Sequence, residues 1–357
     1  MRRMHQLRDV WRIDRAGSLE RLARRTEELP DPAPGEARIA IRAIGLNFAD
    51  IFACLGLYSA TPRGSFIPGL EFAGVVEAIG PAASGEEASS AIRPGDHVMG
   101  LTRFGGYATA LNVDLRLVRP MRPEWSFPEG AAFPAQALTA WYGLVHLGEL
   151  RRGNVVLLHS AAGGVGLNAL AILASMGART IATVGGEAKR AWLVEHRGLA
   201  PHQVIVRDRR AFGGDLDRAL AALGAQGLDL VFDAVAGPYF RPGYDRLRPA
   251  GRLVVYGAAD FMPRGSRVNW LRLATRYLRR PRIDPLAMVS ENRSVMAFNL
   301  IWLWDRLERL SEAYDALDSL IPLPPLVGRC FAFADAPAAI RHLQSGESIG
   351  KVVLENA

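Results

Sequence analysis

The chain has 357 residues, 49% of them apolar and 22% charged, with 36 glycines and 22 prolines. That balance excludes a collagen-like, coiled-coil or wholly disordered chain and leaves room for two domains with ordinary cores. Forty-three basic against 36 acidic residues give a net charge of +7, which suits an anionic ligand without demanding nucleic acid.

Only Lys189 and Lys351 are lysines; every other basic residue is arginine. Two cysteines, Cys54 and Cys330, are too few for a disulfide framework or a four-thiolate zinc lobe and fit a reducing cytoplasm. No apolar run of a signal peptide follows Arg2 and Arg3. No stretch reaches the roughly 18 apolar residues of a membrane span.

In chain order, the first 130 or so residues carry short β-type runs such as 37–43 and 74–79, separated by Gly and Pro turns. They predict an irregular β-rich lobe. Residues 81–92 are small, polar and acidic and read as a surface loop. From Phe133 the pattern changes to apolar strand, turn and helix, with strands expected at 154–159, 180–184, 203–206, 229–233 and 252–256. Each is apolar throughout, as a parallel strand covered on both faces should be.

A basic segment, 262–292, interleaves seven arginines with Trp270, Leu271, Leu273, Tyr277 and Leu278. It is expected to be a solvated helix covering the interdomain cleft or a subunit contact; weak association with a membrane surface is the rival reading. A sixth strand, 294–300, follows, then a helix, short strands and Pro-rich loops. The expected layout is a discontinuous β-rich domain, 1–134 with 301–357, enclosing an α/β doubly wound domain at 135–300.

The run Ala161-Ala162-Gly163-Gly164-Val165-Gly166 follows a buried strand and opens an apolar-periodic helix, 167–176, that Gly177 ends. This is the context of a pyrophosphate-binding turn: Gly163 lets the chain approach the ligand, Gly166 lets helix and strand pack closely, and the helix N-terminus offers amide donors. Ala161 replaces the usual first glycine. About 20 residues on, an NAD site would place an acid against the ribose 2′-hydroxyl. Here the second strand ends Val184-Gly185-Gly186, with Lys189 and Arg190 following, so the local charge suits the 2′-phosphate of NADPH. Glu187 is the nearest acid.

These features extend into longer runs. They are Asn47-Phe48-Ala49-Asp50 with Gly56-Leu57-Tyr58, Pro68-Gly69-Leu70-Glu71-Phe72-Ala73-Gly74, Pro94-Gly95-Asp96-His97-Val98, Thr139-Ala140 and Gly350-Lys351-Val352-Val353. Together they make the chain resemble a zinc-independent medium-chain dehydrogenase/reductase of the quinone oxidoreductase type over nearly its whole length. Residues 248–300, with Tyr256-Gly257 and Asn292-Arg293, resemble its vesicle-amine-transport-protein-like branch.

The resemblance implies a GroES-like catalytic domain, a Rossmann cofactor domain, NADPH in the cleft between them, and a homodimer. It further implies Thr139 beside the nicotinamide and Lys189 at the 2′-phosphate. Arg207 stands where relatives often carry a Tyr. Val235, Gly257, Phe298 and Asn299 line the cofactor channel, with Lys351 approaching it. Core packing is the competing reading for Val235 and Phe298.

Zinc-dependent relatives need a Cys, a His and a further Cys or acid on one metal. In this chain Leu70 occupies the His position and Asn47 the region of the first Cys, so no metal is expected. Cys54 reads as a small buried hydrophobe and His97 as a turn residue. Without a Lewis acid for an alkoxide, hydride transfer favours a quinone or an α,β-unsaturated carbonyl, whose charge delocalises onto oxygen. The donor to that oxygen is Tyr58 first and Asn47 second, with solvent a further source of the proton. Asp50 reads as a loop anchor accepting backbone amides rather than as a base.

His159 and Ser160 sit at the strand-to-turn junction, and their adjacency does not make them a dyad. The rivals to a quinone or enone reductase are an enoyl reductase of polyketide-like metabolism and a non-catalytic, NADPH-responsive protein that binds lipid or nucleic acid.

Overall fold

The computed structural model describes residues 6–81, 92–304 and 307–356, and the side chains of 311–356 within the last stretch. All but the two ends of the acidic loop expected at 81–92 lies outside the described residues. The chain forms two compact units. One comprises Met1–Ala135, Pro263–Val268 and Pro324–Ala357; the other comprises Gln136–Met262 and Asn269–Leu323.

In the first unit a seven-stranded sheet runs Val327–Ala332, Lys351–Glu355, Glu36–Gly45, Glu71–Ile79, His97–Leu101 and Val118–Pro120, with Ala110–Asp114 also paired to Glu36–Gly45. All pairings are antiparallel except that of Val327–Ala332 with Lys351–Glu355. Leu354 lies opposite Ile44 and Phe72 opposite the same residue from the other side. Their side chains are fully buried together with Ile39, Val98 and Val353. That register brings the start of Lys351–Glu355 beside the end of Glu36–Gly45, where the polar residues described below converge.

The second unit is a six-stranded parallel sheet in the order Val204–Val206, Arg179–Val184, Val155–Leu158, Leu228–Asp233, Leu247–Val255 and Ser294–Ala297. By sequence this is 3-2-1-4-5-6, the doubly wound order whose direction reverses beside the first strand, so a crevice opens there at the strand C-termini. Val155, Leu157, Ile181, Val231 and Leu253 form one buried cluster with Phe212, Leu216 and Leu220, which explains why these strands are apolar on both faces.

The helix after the glycine turn spans Gly164–Ser175, three residues earlier than the periodicity suggested. The turn itself supplies its first helical residues, and Gly177 leaves it at φ 69°.

Two expectations differ. The basic segment is two short helices, Trp270–Leu278 and Pro285–Glu291. Asn269 caps the first by accepting the Arg272 amide; Asp284 and Pro285 start the second. The boundary expected at 300/301 lies at 323/324. The helix Leu307–Leu320 packs against Gly164–Ser175 and buries Ala313, Tyr314 and Leu317, so it belongs with the parallel sheet.

Candidate cofactor site and buried polar cluster

At the C-terminal edge of the parallel sheet, the strand Val155–Leu158 runs into His159, whose amide donates to Phe232 O at 3.0 Å. Ser160 turns the chain at φ 57°. Gly163 is the N-cap of Gly164–Ser175 in extended conformation. The two outer glycines of the turn do different work. A Cβ on Gly166 would lie 2.4 Å from Ser160 O and 2.6 Å from Ala161 backbone, so glycine there is required by helix–strand packing. A Cβ on Gly163 would meet only Ser160 O, at 3.5 Å. The protein leaves that space open in front of the helix N-terminus, as a cradle for a pyrophosphate requires.

The next strand, Arg179–Val184, ends at Gly185-Gly186, and Glu187–Arg197 begins with Gly186 as its N-cap. Glu187 does not face that tip unopposed: its carboxylate pairs with Arg190 at 3.3 Å, and Arg190 also donates to Pro201 O. Arg190 is therefore engaged on its own helix, while Lys189 beside it is half-buried.

Arg207, just past Val204–Val206, reaches back across the strand ends. Its Nη1 donates to Thr183 Oγ1 at 3.1 Å and lies 3.4 Å from Ser160 Oγ. A Cβ on Gly185 would come 3.7 Å from its Nη2. Burial lowers its pKa, against smaller opposing effects of Tyr239 and Asp233. A partly desolvated guanidinium held by two hydroxyls and lying over the Tyr239 ring, with no carboxylate hydrogen-bonded to it among the described residues, is ready to receive an anion.

Beneath it, fully buried His159 places Nδ1 2.9 Å from the same Thr183 Oγ1. Burial holds its imidazole down to about 4, so it is neutral. With Arg207 donating to the hydroxyl, the arrangement leaving fewest groups unpaired has Thr183 donating to Nδ1 and the imidazole proton on Nε2.

Fully buried Asp233 accepts the amides of Val235 and Ala236 at 2.7 and 3.0 Å. It thereby holds Ala236 at φ 56°, ψ −156°, a conformation ordinarily reserved for glycine. Val235 is buried, whereas Thr139, Gly257, Phe298 and Asn299 are half-buried. Phe298 meets Tyr142 edge-on at 4.9 Å.

In the other unit a polar cluster lies inside the sheet. Lys351 Nζ donates to Glu71 Oε1 at 2.6 Å and to Asn47 Oδ1 at 3.0 Å. Asn47 Nδ2 donates to Glu71 Oε1 at 2.8 Å and Gly45 O at 3.2 Å, so both amide hydrogens are committed. Glu71 Oε2 accepts the Ala135 amide at 2.9 Å.

Asp50 Oδ2 accepts the Asn47 amide at 2.8 Å and faces Tyr107 OH at 3.3 Å. Burial pushes Asp50 up to about 7, although the Asn47 amide and then Lys351 pull the other way. The reason is arithmetic: the one ammonium of the cluster is paired with Glu71, leaving Asp50 fully buried without a cation of its own. Tyr58 is half-buried, edge-on to Phe104 at 6.4 Å.

Comparisons with known proteins agree with this architecture. The family described as "Alcohol dehydrogenase GroES-like domain" matches residues 33–121, and "Zinc-binding dehydrogenase" matches 202–354. The chain is 31% identical over 328 residues to the synaptic vesicle membrane protein VAT-1 homolog of Rattus norvegicus, covering 91% of this chain and 78% of the relative. This chain is a medium-chain dehydrogenase/reductase.

The chain is also 34% identical over 330 residues to the spectinabilin polyketide synthase system protein NorB of Streptomyces orinoci, covering 90% of this chain and 13% of that one. It superposes with TM-score 0.74 and 29% identity on the quinone oxidoreductase from Thermus thermophilus, solved also in complex with NADPH; the match covers 98% of this chain and 100% of that one.

Zinc appears in one of those family descriptions, and the residues of this chain do not suit it. Leu70 offers no donor atom, Cys54 is fully buried with its thiol pKa raised by burial, and the Glu71 carboxylate is held by an ammonium and two amides. Among the described residues no three His, Cys, Asp or Glu side chains group for a metal. The open space at Gly163 and the Arg207 guanidinium beside Gly185 suit a phosphate-bearing ligand, and the NADPH complex of the Thermus structure supports NADP(H) binding in this family.

Reasoning from sequence anticipated the glycine turn between strand and helix and the anchoring contact of Asp50. It did not find the Thr183–His159 and Asp233 contacts, nor Glu71 as partner of Lys351. Lys351 itself is buried, 4% exposed, and its ammonium ends on Glu71 and Asn47. Buried acids at the ends of apolar strands, such as Asp233 and Glu71, were the signal available, because an unpaired buried carboxylate is too costly to be incidental.

Proposed function

We propose that this reductase uses NADPH to reduce quinones or the C=C bond of α,β-unsaturated carbonyl compounds, without a metal. The observation that carries the reading is the strand tip Val184-Gly185-Gly186, where Glu187 is paired with Arg190 and Asp208 accepts the Arg210 and Ala211 amides while Arg207 lies against the glycine turn. Gly163 and the helix N-terminus hold the pyrophosphate; Lys189 and Arg207 hold the 2′-phosphate. Bound NADPH supplies the hydride.

Tyr58 donates to the oxygen on which negative charge develops. Asn47 takes a different part from that of donor, because its two amide hydrogens already serve Glu71 and Gly45; it positions the loop ahead of Phe48–Cys54. Among possible acceptors, quinones are supported by the likeness to the Thermus quinone oxidoreductase, and enones share their electron-poor carbon beside a carbonyl. The likeness to a polyketide synthase protein favours a second reading, an enoyl reductase of polyketide-like metabolism.

A panel of quinones, small enones and enoyl thioesters, followed by NADPH oxidation, separates the two. Turnover of several quinones or small enones supports the first reading, and turnover confined to enoyl thioesters the second. Failure to bind NADPH in calorimetry would refute both.

A further inference from the structure

The helix Trp270–Leu278 has little cover. At 3.6 residues per turn Trp270, Ala274, Tyr277 and Leu278 share one face, with Leu271 at its edge. Trp270 is 66%, Leu271 84% and Leu278 69% exposed, and on the following helix Leu286 and Val289 are 77% and 80% exposed. Only Leu273 and Arg276, one turn apart on the flank, are half-buried, with Arg276 donating to Asp260 O. The helix therefore rests on its flank and turns its apolar arc outward, the opposite of the docked amphipathic helix that such a pattern ordinarily produces.

The charge around this arc is of one sign. From Asn269 to Ile283 there are five arginines (Arg272, Arg276, Arg279, Arg280 and Arg282) and no acid. The nearest acids of the same unit are engaged: Asp260 with Arg209 at 3.0 Å, Asp284 in capping Leu286 N, and Glu291 with Arg293 at 3.2 Å. Arg280 stacks on the Tyr277 ring, 3.9 Å from its centroid, which extends the aromatic surface and keeps the charge at its rim.

We propose that these two helices form a docking surface for an anionic lipid bilayer. Charge complementarity selects that occupant. A second copy related by a two-fold axis would set arginines against arginines. A nucleic acid would pair with the arginines but leave Leu271, Leu278, Leu286 and Val289 in water. An anionic bilayer satisfies both halves: headgroups take the guanidinium groups, the interfacial zone takes Trp270 and Tyr277, and the acyl boundary takes the leucines. Neither helix is long enough to span, so the contact is peripheral and salt-sensitive.

The test is sedimentation of the full chain with phosphatidylcholine vesicles carrying about one-third phosphatidylserine, against pure phosphatidylcholine vesicles. Two variants accompany it: Leu271→Glu with Leu278→Glu, and Arg272→Gln with Arg279→Gln. All four positions are exposed, so thermal melting should match the wild type. The expected result is binding to the anionic vesicles only, weakened about tenfold or more in each variant.

Absence of anionic-vesicle binding overturns the proposal. So does a leucine variant that binds as well as wild type, because the apolar arc would then be idle. Self-association of wild type that the leucine variant abolishes, with vesicles ignored, would assign the face to a second copy.

Discussion

In the proposed NADPH site, Arg207 and Lys189 come to the 2′-phosphate from different settings. Arg207 is preset by Thr183 and Ser160, whereas Lys189 stands on the first turn of Glu187–Arg197. A charge-assisted contact contributes about 1.5–3 kcal/mol. Lys189→Ala and Arg207→Ala should each raise the Kd for NADPH by about ten- to a hundredfold and that for NADH far less. Equal losses for both cofactors in titration calorimetry would remove the 2′-phosphate role. Tyr58→Phe deletes only a hydroxyl; turnover should fall about ten- to a hundredfold with NADPH affinity unchanged, and an unaltered rate would take Tyr58 out of the chemistry. The parallel change Asn47→Ala should instead lower thermal stability, since it strips partners from buried Glu71 and Lys351.

At the scale of elements, the glycine turn separates packing from ligand binding. Gly166→Ala forces a methyl into Ser160 O. It should cost about 1–3 kcal/mol of stability, read from urea unfolding, along with cofactor binding. Gly163→Ala meets nothing closer than 3.5 Å, so its melting temperature should hold while NADPH affinity drops. If both variants melt alike, the distinction fails. Hydrophobic periodicity and turn residues made the parallel strands and this turn legible. They did not disclose that the basic segment splits into two helices whose apolar face turns outward, because periodicity reports amphipathicity and not what covers it.

For the whole molecule, two buried groups give stability opposite dependences on pH. Asp50 is raised to about 7 by burial, so the folded chain keeps a proton that the unfolded chain releases near the ordinary aspartate value of about 4. Its stabilising contribution is complete below that value and is lost as pH rises through about 7. His159 is held down to about 4 by burial; its contribution is present above its unfolded value of about 6.5 and is lost as pH falls from there. Asp50→Asn should therefore remove the first effect and steepen the loss of stability on acidification from about pH 7 to 4.5. Urea midpoints across that range decide it, and superimposable profiles for variant and wild type would show that Asp50 is ionised in the folded state.

The sequence alone determined what depends on neighbours in the chain: the doubly wound strand pattern, the glycine turn, a strand tip Val184-Gly185-Gly186 without an acid, and Leu70, which has no donor atom. Local backbone preference and residue chemistry act over a few positions, so they can be read without a fold. Only the tertiary structure decided that Lys351 meets Glu71 across 280 residues, that Arg207 bridges Thr183 and Ser160, and that Leu307–Leu320 joins the parallel sheet. Those contacts arise from strand order and register, and the buried charges they pair acquire their protonation states only when water is excluded around them.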